Sequence, residues 1–257
     1  MGCLFVGKRS GHDAVWAFEA QHHTISQVKA PGSRTSPGEG IEGVDCMRSV
    51  GCVVADATPG EQSIIRLSTT MDGGVSWSPP RWDPGTFHTP SSSTLDGFSC
   101  ASVLDCLAVN AGACGCGFLA EYTLSGGTTW TVGFSSRNYP YATSLSCASL
   151  ARCIYVTANP GLEATSNFGK SWHPQAPPSL YDPYMVTCAT GTRCLLVLNG
   201  YFKERGKWGV AIGPVGGWRL IRTLRTSTSP HDSSTSFSCG PRWCALLIST
   251  QPMTFRE

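Results

Sequence analysis

Pairs of cysteines recur five times along this 257-residue chain with almost constant spacing: Cys46/Cys52, Cys100/Cys106, Cys147/Cys153, Cys188/Cys194 and Cys239/Cys244. The first four pairs enclose five residues and the last encloses four. The surrounding text repeats too, over 98–110, 145–158, 186–198 and 237–249, with an apolar run following the second cysteine each time. Such a period limits the chain to an architecture of equal units laid one against the next.

Between successive pairs stands a second repeated phrase. It reads Thr70-Met71-Asp72-Gly73-Gly74-Val75-Ser76-Trp77, then Thr123-Leu124-Ser125-Gly126-Gly127-Thr128-Thr129-Trp130, then Thr165-Ser166-Asn167-Phe168-Gly169-Lys170-Ser171-Trp172. Each copy predicts a hairpin turn. The third side chain accepts backbone N–H groups across the turn, and the glycine two places on supplies the positive φ that a Cβ resists. The tryptophan opens the return strand as a large apolar anchor between neighbouring units. A fourth copy near Gly216-Gly217-Trp218 keeps only the glycines and the aromatic ring.

These phrases resemble the Asp-box, or bacterial neuraminidase repeat, whose pattern is Ser/Thr-x-Asp-x-Gly-x-x-Trp. Thr70, Asp72, Gly74 and Trp77 match it throughout; Thr123, Gly127 and Trp130, and Thr165, Gly169 and Trp172, match it around a substituted third place, Ser125 and Asn167. The resemblance implies an all-β fold, a β-propeller of four-stranded blades numbering about five to six, in which each box turns the third strand into the fourth. Together with the paired cysteines it is similar to secreted, sialidase-like repeat proteins.

Composition agrees. With 29 Gly and 17 Pro against 14% charged residues, the chain is turn-rich and poor in salt-bridged helical faces. Short runs such as Cys52-Val53-Val54-Ala55 and Cys194-Leu195-Leu196-Val197-Leu198 lie between Gly, Ser, Pro and Asn clusters, as strands do. No apolar run reaches the roughly 20 residues of a membrane span. A net charge of +2 without a Lys/Arg block gives no footing for nucleic acid or an anionic membrane. The most basic stretch, Arg219 to Arg225, alternates apolar and charged positions and reads as an outer strand.

Each blade is expected to run from a first strand ending at the first cysteine, through a second strand beginning at its partner, to a third strand leading into the box. The cysteines then flank one tight connection, at Cα separations of roughly 4.4 to 6.8 Å. With 13 cysteines in the chain, the five regular pairs read as disulfides. Zinc sites need closer pairs converging on one ion, which cysteines on separate blades do not supply. This implies an oxidising, extracellular compartment, although residues 1–8 show no signal-peptide pattern.

Cys3-Leu4-Phe5-Val6-Gly7 aligns with the second-strand phrase, so residues 3–29 are expected to supply strands two to four of a partial blade. Blades at about 43–86, 96–136, 143–178 and 184–226 follow, with terminal strands in 235–255, all within a single propeller domain over 1–257. Two readings of the ends stay open: Ser236 to Cys239 lies beside Cys3 to Gly7 in one shared blade, or an upstream portion holds the partner of Cys3 and the export signal. Cys114 and Cys116, in a glycine-rich connection, read as a local bridge or loop decoration.

Sialidase-type hydrolysis requires an arginine triad, a Tyr activated by a Glu, and an Asp acid/base. The Tyr/Phe-Arg-Ile-Pro phrase that carries the first arginine does not occur, and Glu121-Tyr122 is the sole adjacent Glu/Tyr pair. His12-Asp13 and His22-His23 read as strand and turn residues, since neighbours on a strand face opposite ways. The sequence therefore favours a non-catalytic binding or structural module without cofactor or metal, whose partner is an extracellular glycan or protein. Its candidate contact surface is the pair of Tyr/Pro-rich interblade connections holding Tyr139, Tyr141, Tyr181 and Tyr184, with Trp82 and Phe87 open to the same reading or to packing at a blade junction. The alternative is a sialidase-like glycoside hydrolase.

Overall fold

The computed structural model describes residues 2–9, 12–19, 24–28, 31, 40–47, 51–57, 65–82, 95–111, 118–136, 142–157, 161–177, 182–190, 193–199, 207–213, 217–225, 235–239, 243–248 and 251–256. Among these residues every regular element is a β-strand, and the strands form six antiparallel sheets. The first sheet holds β1 (Gly2–Arg9), β2 (His12–Glu19) and β3 (Thr24–Val28); the second holds β4 (Gly40–Met47), β5 (Gly51–Ala57) and β6 (Ile65–Thr70). Three four-stranded sheets follow. They are β7 (Leu95–Cys100), β8 (Cys106–Ala111), β9 (Phe118–Thr123) and β10 (Thr131–Ser136); β11 (Ala142–Ser149), β12 (Arg152–Thr157), β13 (Gly161–Thr165) and β14 (His173–Gln175); and β15 (Asp182–Thr190), β16 (Arg193–Asn199), β17 (Lys207–Gly213) and β18 (Arg219–Arg225). The sixth holds β19 (Thr235–Cys239), β20 (Trp243–Ile248) and β21 (Gln251–Arg256).

Each sheet is a simple meander, and the sheets pack face to face through their first strands. β1 lies beside β4, β4 beside β7, β7 beside β11, β11 beside β15, β15 beside β19, and β19 beside β1. Six blades around a common axis make a β-propeller. The core is correspondingly split into layers between blades rather than gathered at one centre. Leu67 and Val53 of the second blade bury with Cys106, Ala108 and Trp130 of the third. Leu107 and Phe118 of the third bury with Tyr155 and Trp172 of the fourth. Ile154, Val156 and Leu162 of the fourth meet Val186, Leu196 and Leu198 of the fifth.

At the chain ends one expectation is corrected, and one of the two open readings is not met. β1 occupies a first-strand position, at the edge of its sheet and against β4 and β19, rather than the second-strand position that the phrase Cys3 to Gly7 implied. The physical reason is that Leu4 and Val15 bury together against Ile41, Cys52 and Val54 of the next blade, a demand that an apolar run meets equally well in either position. β1 and β19 also do not share a sheet: β1 pairs with β2, β19 pairs with β20, and the two meet by packing. Cys3 stands opposite Phe18, and Cys239 stands opposite Cys244.

Candidate functional site

The densest polar chemistry in the repeat sits where the strand turns meet. Disulfides join Cys46 to Cys52, Cys100 to Cys106, Cys147 to Cys153 and Cys188 to Cys194. In each pair the cysteines are directly cross-strand partners, with Cα atoms 3.9 to 4.0 Å apart, closer than the separation expected from sequence. The second cysteine also faces the first residue of the next turn: Cys52 pairs with Thr70, Cys106 with Thr123 and Cys153 with Thr165. Bridge and turn therefore stand side by side on one face of the ring.

The three turns share one hydrogen-bond scheme. The threonine hydroxyl accepts the amide of the glycine four places on, at 3.0 Å for Thr70 and Gly74, 3.0 Å for Thr123 and Gly127, and 3.1 Å for Thr165 and Gly169. The third side chain accepts a second amide, Ser76 N–H at 2.9 Å on Asp72, Thr129 N–H at 3.0 Å on Ser125 and Ser171 N–H at 3.0 Å on Asn167. Bonds from the Ser76 hydroxyl, the Ser76 amide and the Thr70 hydroxyl hold the Asp72 carboxyl well below the usual carboxylate range. Gly74, Gly127 and Gly169 take φ of 93°, 92° and 72°. The preceding position is left-handed as well, with Gly73 at 73°, Gly126 at 66° and Phe168 at 64°. Phe168 thus stands where the other copies use glycine, and its ring tilts against Tyr122 of the third blade at 5.9 Å.

The tryptophans that follow pack back onto the preceding blade. Trp77 lies against the layer between the first and second blades, Trp130 against Val53 and Leu67, and Trp172 edge-on to Tyr155 at 4.6 Å and Phe118 at 6.2 Å.

Of the tyrosines singled out from sequence, Tyr139, Tyr141 and Tyr181 lie outside the described residues, as do Phe87, His22, His23, Cys114 and Cys116. Tyr184 is half-buried near the start of β15, edge-on to the fully buried Trp208 at 5.2 Å. Trp82 is 49% exposed. Glu121 and Tyr122 are not brought together: Glu121 is fully buried, while Tyr122 projects from the other face of β9 toward Phe168. A carboxylate on the opposite side of a strand cannot take the phenol's proton. Among the described residues no group of three or more His, Cys, Asp or Glu side chains gathers as a metal-ligand set.

One polar arrangement was not singled out from sequence. The residue before the first cysteine of a pair reaches across to the next blade. Asp45 Oδ2 accepts the Ser99 hydroxyl at 2.6 Å and the Cys100 amide at 2.7 Å; Ser99 Oγ in turn accepts the Cys147 amide at 2.8 Å, and Ser146 Oγ accepts the Cys188 amide at 2.8 Å. Burial pushes the Asp45 carboxyl up to about 6, against the opposing pull of hydrogen bonds from Ser99, Cys100 and Cys46. The signal was present as a polar residue at the same place in every pair: Asp45, Ser99, Ser146, Thr187 and Ser238.

No family model and no curated protein matches the chain. Solved structures do. YCF48 from Cyanidioschyzon merolae superposes with a TM-score of 0.57 at 14% identity, over 98% of this chain and 76% of that one. The GH74 xyloglucanase from Xanthomonas campestris gives 0.56 at 11% identity, over 100% of this chain and 42% of that one. A chain of a nidogen/laminin complex gives 0.53 at 12% identity, over 83% and 72%. The likeness is one of fold. The chain spans less than half the length of the GH74 enzymes it matches, 42% and 44%.

Proposed function

We propose that this chain is a secreted propeller of the Asp-box kind, acting as a non-catalytic binding or structural module for an extracellular glycan or protein. One observation carries the reading: the repeated chemistry-bearing side chains, Asp45, Asp72 and the eight bridged cysteines, are engaged in joints, turns and bridges. Cross-strand bridges in four blades fit an oxidising compartment. With the turn face bound up in this way, the opposite face is where variable connections are free to meet a partner. Tyr139, Tyr141 and Tyr181, with Tyr184 at the base of its connection, form the proposed contact surface, since tyrosine gives broad contact at small entropic cost.

Fluorogenic sialosides and other glycosides, together with a panel of immobilised glycans and extracellular proteins, test the reading. The expected outcome is no turnover, and saturable binding that weakens at least tenfold when Tyr139, Tyr141 and Tyr181 are replaced by alanine. Turnover abolished by a single carboxylate substitution would overturn it in favour of a glycoside hydrolase.

A further inference from the structure

The fifth blade departs from the repeat in charge. Residues 193–225 hold seven of the chain's 19 Lys and Arg and one of its 17 Asp and Glu, so the remainder of the chain is net acidic. Four of those cations stand on the two outermost strands, Lys207 on β17 and Arg219, Arg222 and Arg225 on β18, and neither strand has an Asp or Glu. The equivalent strands of the third and fourth blades, β9 with β10 and β13 with β14, hold one glutamate each and no Lys or Arg. Packing of blade on blade therefore does not call for this charge.

The register of the ladder gathers it further. Arg219 stands opposite Ile212 and Arg222 opposite Val210, two places apart on β17, because a bulge at Ile221 takes up the odd residue. In an unbroken strand, positions three apart fall on opposite faces; here Arg219 and Arg222 share one. Arg225 stands directly across from Lys207, a like-charged pairing that works against its own ladder unless an anion lies on it. Arg219, Leu220 and Ile221 are exposed. Acidic groups on the neighbouring strands are turned or set away. Glu163 of the fourth blade stands opposite Tyr155, which packs toward the third blade, and Asp182 lies on β15, two strands inward from β17. Strands β19, β20 and β21 of the sixth blade have no Asp or Glu. Glu204 precedes β17 in a connection outside the described residues.

We propose that the outer edge of the fifth blade binds an acidic polysaccharide, an extended sugar chain bearing sulfate or carboxylate groups at intervals. The charges are complementary, and three of the four cations are arginines, whose planar fork donates paired hydrogen bonds to an oxyanion. An edge strand of this length sets its cations in a row of roughly 20 Å, which suits a linear polymer better than a small single anion. Leu220 and Ile221 add exposed aliphatic surface for the C–H faces of sugar rings. The aromatic side chain of β17, Trp208, is buried and β18 has none, so the bases of a nucleic acid find no stacking platform on these strands. This edge lies on the rim of the disc and stands independently of the tyrosine surface.

Dextran sulfate and alginate, one sulfated and one carboxylated, are titrated into the full chain by calorimetry, with uncharged dextran as the blank and single-stranded DNA and anionic vesicles as rival polyanions. At least one of the two acidic polysaccharides is expected to bind, more weakly as salt rises, and the one that binds names the anion the edge takes. Arg219→Gln with Arg222→Gln is expected to weaken binding by about tenfold or more, whereas Arg152→Gln with Lys170→Gln, which removes equal charge from exposed places on the fourth blade, changes it by less than about twofold. Equal losses in the two pairs would reduce the effect to net charge and overturn the site. Absence of binding, or tighter binding of DNA or vesicles than of either polysaccharide, would overturn it as well. If the Arg219/Arg222 variant does not fold, backbone amide shifts of the unaltered protein titrated with dextran sulfate decide. Shifts centred on Lys207–Gly213 and Arg219–Arg225 support the site, and shifts centred elsewhere overturn it.

Discussion

At the scale of single residues, the repeat uses the same polar atoms in two opposite settings. Asp72 stands on the surface, surrounded by donors, and is stabilised as an anion; Asp45 is half-buried between blades, where desolvation raises its carboxyl pKa against the pull of its own hydrogen-bond donors. The conformational demand of the turns is as local. Gly127 has φ of 92°, and a Cβ built on it would lie 3.0 Å from Leu67 Cγ in the preceding blade. Gly127→Ala is expected to cost about 1–3 kcal/mol in a urea unfolding titration, since it combines left-handed strain with crowding. The need for glycine there was legible in the phrase itself, because the turn scheme follows from side-chain type and spacing. The left-handed φ of Phe168 was not, because an aromatic residue is a poor indicator of that conformation and only its contact with Tyr122 explains its place.

At the scale of elements, the bridged hairpin is the unit that repeats. Each disulfide ties two strands at their turn, and in the second, third and fourth blades the third strand lays its threonine beside the bridge. Loss of one bridge, by Cys147→Ala with Cys153→Ala, is expected to lower stability by about 2–3 kcal/mol, measured as a shift in denaturation midpoint at unchanged slope. A loss well below 1 kcal/mol would show that the ladder alone holds the register. The cysteine phrases announced these hairpins because pairing partners lie close in sequence. Strand position within the first blade was less legible: Cys3 to Gly7 has the apolar character of a first and of a second strand alike, and only contact with β4 and β19, distant in sequence, separates the two. The interblade bonds from Asp45, Ser99 and Ser146 were hidden for the same reason, as their partners lie 42 to 55 residues away.

At the scale of the whole molecule, six blades meet through apolar layers and a ring of inner strands. Closure between β19 and β1 depends on packing, and the register of β19 and β20 sets Cys239 opposite Cys244. Non-reducing peptide mass spectrometry on protein made in an oxidising compartment is expected to find a fifth bridge between these two. A bridge from Cys239 to Cys3 would show a covalent closure of the ring instead, and mostly free thiols would overturn the extracellular assignment. What the molecule binds is the least legible part of the sequence. Binding surfaces are made by connections whose composition follows the partner, whereas the repeat that reveals the fold is conserved within the chain by the demands of packing alone.

The bridges and turns have one more implication, for how such a protein can change. Both sit at the same end of every strand pair they join, so one side of the disc is a rigid chassis stitched by covalent bonds. The strand ends at Ala111 and Phe118 emerge on the other side. Loops can be lengthened, shortened or exchanged there without disturbing a single cross-link. The disc is in effect a mounting plate, and new specificity can be grafted onto one side while the other keeps the blades in order.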